Sequence, residues 1–192
     1  MLTAAANHRF TEPRPLKKKE TSQPIDSFFW TEPRLWREAN LSLSRTIGAR
    51  KPELEPLRRR ALRLEALLDF VIPLMEELCQ ERCPACPDPC CISARARFDL
   101  SDLVFMHLAG QAVPLAQAGP RENPGCLYLG PRGCLLPRLS RPWICRWYIC
   151  PQQKRLLRHY PASGQRRFEL AISRIRRLRS DLRDAFVLAI SG

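Results

Sequence analysis

Four thiols fall within nine residues in Cys83-Pro84-Ala85-Cys86-Pro87-Asp88-Pro89-Cys90-Cys91, the last two adjacent. Cys126, Cys134, Cys145 and Cys150 follow, and Cys79 lies just upstream, making nine in all. Thiolates bind zinc through bonds of about 2.3 Å, and they also hold iron and iron-sulfur clusters, when several sulfurs converge from short, sharply turned backbone. The turns are present: proline follows Cys83, Cys86 and Cys150 and precedes Cys90, restricting the chain and removing competing N–H groups. Cys83 and Cys86, three residues apart, can reach one ion from a tight loop. Adjacent Cys90 and Cys91 share one ion with difficulty, which leaves two ions, a polynuclear cluster or a separate role for one of the pair. The eight cysteines from Cys83 to Cys150 would fill two four-thiolate zinc sites. Four of them would suffice for a cubane iron-sulfur cluster, with the others left for a second cluster or for structure. Cys79, beside the apolar stripe of a helix, reads as an ordinary buried helix residue.

Composition sets the context for those thiols. The 192 residues fit one ordinary domain with an extension, and an apolar share of 45% is enough for a core. A net charge of +13 points to an acidic partner, whether protein, nucleic acid or an anionic membrane surface. Lys17, Lys18 and Lys19 precede Glu20, Thr21 and Ser22 in place of the apolar region of a signal peptide, so the expected compartment is the reducing cytoplasm. There, clustered cysteines read as metal ligands or redox groups before disulfides, and an odd count fits a closed disulfide framework poorly. No apolar run reaches the roughly 18 residues of a membrane span.

The elements that must position the thiols follow from periodicity. Residues 1–50, with Pro13, Pro15, Pro24, Pro33 and a lysine run, read as a disordered or extended tail. An apolar island within it, Phe28, Phe29, Trp30, Leu35 and Trp36, would dock on the chain's own surface or on a partner. Residues 51–192 form the expected single domain. Leu57, Ala61, Leu64, Leu68, Val71, Met75 and Leu78 lay one apolar stripe along a helix over 53–80, with Pro52 in its first turn and a kink or restart at Pro73. Residues 98–110 read as a short helix capped by Asp99 or Ser101 and ended by Gly110. His107 within it reads as structural, with a ligand role as the alternative. Gly130-Pro131-Arg132-Gly133 between two apolar arms predicts a small hairpin with Cys126 on one arm and Cys134 on the other. A last helix over 165–190 buries Phe168, Ile172, Ile175, Leu178, Leu182, Phe186 and Ala189 and turns seven arginines outward: Arg166, Arg167, Arg174, Arg176, Arg177, Arg179 and Arg183. The expected fold is mainly α, with two long helices packed around a loop-rich, cysteine-rich metal-binding core over 80–151.

The cysteine spacing, the glycines before Cys126 and Cys134, and Arg141-Pro142-x2-Cys145-Arg146-x3-Cys150 together resemble the YkgJ-type cysteine-cluster family. That family's signature, Cys-x2-Cys-x2-Cys-Cys, marks a zinc- or iron-chelating domain, and a similar cluster occurs in flagellin lysine N-methylases. The resemblance implies that Cys86, Cys90, Cys91, Cys126, Cys134, Cys145 and Cys150, with Cys83, are the metal-site thiols. It also implies that Arg141 and Arg146 are the Arg-Pro and Cys-Arg elements. This chain carries one extra residue before the Cys-Cys pair, in Pro87-Asp88-Pro89.

Three functions follow as expectations. The first is a metal-binding protein carrying zinc or iron, with an iron-sulfur cluster among the options. The second is a metal-dependent group-transfer or redox enzyme related to the methylases, although the chain has no glycine-rich nucleotide loop, no Gly-x-Ser-x-Gly elbow and no His-Glu-x2-His motif. The third is a basic nucleic-acid-binding protein with a structural zinc site.

Overall fold

The computed structural model describes residues 30–93, 96–119, 125–131 and 133–192. In chain order its helices are α1 (Pro33–Ala49), α2 (Lys51–Arg82), α3 (Cys90–Ser93), α4 (Leu100–Ala109), α5 (Trp143–Trp147), α6 (Pro151–Leu157) and α7 (Ala162–Ser191). The strands β1 (Leu129–Gly130) and β2 (Gly133–Cys134) lie between α4 and α5, followed by a single 3-10 turn over Arg138–Ser140. The fold is mainly α with one small hairpin, as the sequence predicts.

The predicted stripe is the spine of the molecule. Leu54, Leu57, Ala61, Leu64, Leu68, Val71, Met75 and Leu78 are all buried on α2. The helix continues through Pro73 without the restart that the sequence allows for. Pro73 is exposed, so the carbonyl four residues earlier, which loses its helical donor, can be solvated, and the buried stripe on the other side holds the helix together.

α7 lies along α2 in the most extensive helix contact of the fold. Phe168, Ala171, Ile172, Ile175, Leu182 and Phe186 are buried, with Leu178 and Ala189 half-buried against them. The two helices run antiparallel, because Tyr160, just before α7, hydrogen-bonds Glu77, and Arg167 stands 5.3 Å over the Phe70 ring. α4 packs against both and supplies Leu103, Val104, Phe105, Met106 and Leu108 to the core. Its caps are the expected kind: the Asp99 side chain accepts from Asp102 N–H at 3.0 Å, and Gly110 closes the helix at φ 73°.

The extended reading of residues 1–50 is corrected over its last part. Residues 1–29, including Phe28 and Phe29 of the apolar island, lie outside the described residues. Residues 33–49 form α1. Trp36, Asn40, Leu43 and Ile47 recur at helical steps, and the polar Asn40 hides the period in the sequence. Asn40 is accommodated because its side chain donates to Trp36 O at 2.8 Å and meets His107 Nε2 at 3.0 Å. Trp36 is 2% exposed, stacks obliquely on Phe98 at 5.4 Å and donates Nε1–H to Pro114 O at 2.9 Å. Trp30 also packs on the core, so two residues of the island, Trp30 and Trp36, dock on the chain itself.

Candidate thiol centre

The cysteines gather at the C-terminal end of α2. Cys79 and Cys83 lie one turn apart there, and Cys83 N–H donates to Cys79 O at 2.8 Å. Cys86 follows in a turn, its N–H reaching Cys83 O at 3.3 Å. Cys90 and Cys91 open α3, which starts as a turn closed by Ile92 N–H to Pro89 O. Cys91 O then accepts Cys126 N–H at 2.9 Å, tying the hairpin segment to the first cluster. The hairpin pairs Leu129 with Cys134 and Gly130 with Gly133. Gly133 adopts φ 109°, a backbone conformation that favours glycine, and the Leu135 side chain lies over Gly130. Cys126 stands ahead of β1 in place of the predicted arm position, and Cys134 lies on β2. Cys145 sits within α5. Cys150 caps α6: its sulfur accepts Gln153 N–H at 3.4 Å, while Gln153 Oε1 accepts Cys150 N–H at 3.1 Å.

All nine cysteines are free, and eight of them influence one another electrically. A hydrogen bond from Cys83, with the donors Arg138 and Gln153, pulls the Cys79 thiol down to about 5 against the opposing effect of burial. Cys83 is pushed up by that same bond, by burial and by the charges of Cys79, Cys90 and Cys150. Cys91 holds Cys90 down to about 6 through a shared hydrogen bond and is itself pushed up by that bond, by burial and by Cys90, Cys145 and Cys134. Burial, then Cys134, Cys126 and Cys90, raise Cys145 to about 12. These thiols fall into two groups: Cys79, Cys83 and Cys150 at the end of α2, and Cys91, Cys126, Cys134 and Cys145 beside it, with Cys90 acting on both.

Two buried polar side chains that the sequence reading passed over face these sulfurs. Arg138, 4% exposed, donates from Nη2 to Cys79 Sγ and to Met75 O, each at 3.3 Å, and from Nη1 to Cys145 O at 3.3 Å. Gln153, also 4% exposed, donates from Nε2 to Cys79 Sγ at 3.3 Å and lies 4.0 Å from Cys83 Sγ. The signal in the sequence is an arginine in the otherwise apolar run Leu135-Leu136-Pro137-Arg138-Leu139, which needs a partner once buried.

Behind the thiols lies a buried charge junction. Asp102 on α4 faces Arg146 of α5 at 3.8 Å and Arg179 of α7 at 3.3 Å, and Arg179 also pairs with Asp99. Asp102 Oδ2 accepts Trp143 N–H at 3.2 Å, and Arg146 Nε donates to Arg141 O at 2.7 Å. Burial pushes the Asp102 carboxyl up against the pull of Arg146 and Arg179, and burial lowers Arg146. Arg146 therefore anchors the helix that carries Cys145. His107 is remote from this region: it borders a cleft of 130 Å³ with Lys51, Leu54 and Arg58 at the opposite end of α2, about 40 Å along the helix from Cys79.

Sulfur donors from six segments fit a thiophilic ion, zinc or iron, in kind. Among the described residues, no three His, Cys, Asp or Glu side chains converge closely enough to hold one ion as they stand. No family model, curated protein or solved structure matches the chain. No helix among the described residues is long and apolar enough to cross a membrane.

Proposed function

We propose that this chain is a metal-binding cysteine-cluster protein of a reducing, cytoplasmic compartment, holding zinc or iron through Cys83, Cys86, Cys90, Cys91, Cys126, Cys134, Cys145 and Cys150. The observation that carries the reading is the gathering of thiols from separated segments at one end of α2, with buried Gln153 directing N–H groups at the Cys150 and Cys83 sulfurs. Such donors stabilise the thiolate that a metal requires, and a bound ion would offset the repulsion among neighbouring thiolates. The motif likeness to the YkgJ-type family supports the same reading. Anaerobic purification followed by elemental analysis and a visible spectrum tests it. Stoichiometric zinc or iron is the expected result, with broad visible absorption for an iron-sulfur cluster and a colourless protein for zinc; substoichiometric metal of every kind would refute it.

A second reading, an acidic partner held on an arginine face, is favoured by one observation. Arg60, Arg63, Leu67 and Phe70 form a row on the flank of α2, and Arg167, Leu170, Arg174 and Arg177 form one on α7 at the same three- and four-residue steps. The Arg167–Phe70 contact sets these antiparallel rows side by side, so Arg63 lies within about a turn of Arg174, and Arg60 within about a turn of Arg177. All five arginines are exposed, and among the described residues none is in an ion pair. Crowded, unneutralised guanidiniums suit the phosphates of a nucleic acid.

A further inference from the structure

We propose that Cys79 is a ninth thiolate of the metal centre, oriented by Gln153 and charge-balanced by Arg138; this rests on the metal-binding reading above. The sequence assigns Cys79 to the core, next to Met75 and Leu78. Those two are 0% and 1% exposed, whereas Cys79 is only half-buried and its sulfur leaves the apolar stripe.

The surroundings of that sulfur are polar. Arg138 Nη2 and Gln153 Nε2 each donate to it at 3.3 Å from separate segments of the chain. Two N–H donors on one sulfur define an acceptor site, while a core thiol that merely fills space is surrounded by carbon. Arg138 adds a charge argument. A guanidinium stays protonated when buried and calls for a neighbouring anion. Among the described residues Arg138 is in no ion pair, its other acceptors are the neutral carbonyls of Met75 and Cys145, and its Nε has no partner. The Cys79 sulfur is the group within its reach that can carry the negative charge.

Gln153 links this sulfur to ligands already assigned. The same Nε2 lies 4.0 Å from Cys83 Sγ, and its backbone N–H reaches Cys150 Sγ at 3.4 Å. One buried residue therefore gathers Cys79, Cys83 and Cys150, the way outer-shell donors hold metal-bound thiolates. Each coordinating sulfur binds the metal as thiolate, the protons of those that are still thiols leaving to solvent, with no change of oxidation state.

The test uses the full chain, reduced and anaerobic, loaded with zinc alone. Iodoacetamide labelling followed by peptide mass spectrometry should find Cys79 protected in the zinc form and modified once a chelator strips the metal. Zinc affinity, measured in competition with a chromophoric chelator, should fall at least about tenfold in Cys79→Ser, and also in Arg138→Gln. The cobalt-substituted Arg138→Gln protein should keep its thiolate-to-metal absorption, because the sulfurs remain. Equal labelling of Cys79 with and without zinc, in a protein that does bind zinc, would overturn the inference and leave the metal reading standing. Wild-type protein that binds neither zinc nor iron would overturn both. The labelling arm needs no variant, so a misfolded Cys79→Ser protein would not blunt it.

Discussion

Asp102 holds two guanidiniums from different helices, so removing its carboxylate strands Arg146 in the interior and leaves Arg179 with Asp99 alone. Asp102→Ala is expected to cost about 3–5 kcal/mol in urea unfolding, the range for breaking a buried charge pair on one side. It should also speed alkylation of Cys145, because Asp102 accepts the Trp143 N–H at the start of α5. A loss no larger than that of a surface substitution would show that the junction carries little of the fold. His107 gives a pH prediction. Burial lowers its pKa from the ordinary value of about 6.5, so the folded chain binds this proton less readily than the unfolded chain. Its contribution to stability is present above pH of about 6.5 and is lost as the pH falls through the folded value. His107→Gln should flatten the stability profile over that window; an unchanged slope would assign the acid sensitivity to other groups. The thiols are legible as candidates from residue type alone, because their chemistry is written in their side chains. Asp102, Arg138 and Gln153 were hidden, because a polar residue's burial depends on partners far away in the chain.

At the level of elements, the helices with unbroken apolar stripes were legible, and α2 and α7 bury the predicted faces. Legibility failed where polar residues interrupt the period. α1 has Asn40 in the middle of its buried edge, where Trp36 O and the docking partner His107 on α4 satisfy its side chain. Pro73 is the converse case, since the helix continues past it without a restart. The weight placed on α1 can be measured. Trp36→Ala removes a buried indole and its hydrogen bond to Pro114 O, and is expected to destabilise the fold by about 3–5 kcal/mol by thermal or urea unfolding. Trp36→Phe, which keeps most of the volume, should lose about 1–2 kcal/mol through the orphaned carbonyl. Equal stability of both variants and the wild type would mean that α1 is an appendage.

At the scale of the whole molecule, the apolar core and the thiol centre occupy different lengths of one helical rod, and the arginine face runs along its flank beside α7. The positive charge was legible as a composition, but the juxtaposition of Arg63 with Arg174 required the antiparallel packing. If that face holds nucleic acid, binding of a labelled 20-nucleotide RNA by fluorescence anisotropy should weaken steadily with salt. Arg63→Ala combined with Arg174→Ala should reduce the salt slope by about 1.4, about 0.7 for each phosphate of a single strand that the protein no longer neutralises. A slope unchanged by the pair would move the binding surface elsewhere. The direction of α2 has a further consequence. Its peptide dipoles add to roughly half a negative elementary charge at the end where the sulfurs gather, and Arg138 already answers it by donating to the Met75 carbonyl in the last turns. The fold's longest helix thus turns its negative pole toward the thiols, a field that favours positive charge over negative at this end of the molecule.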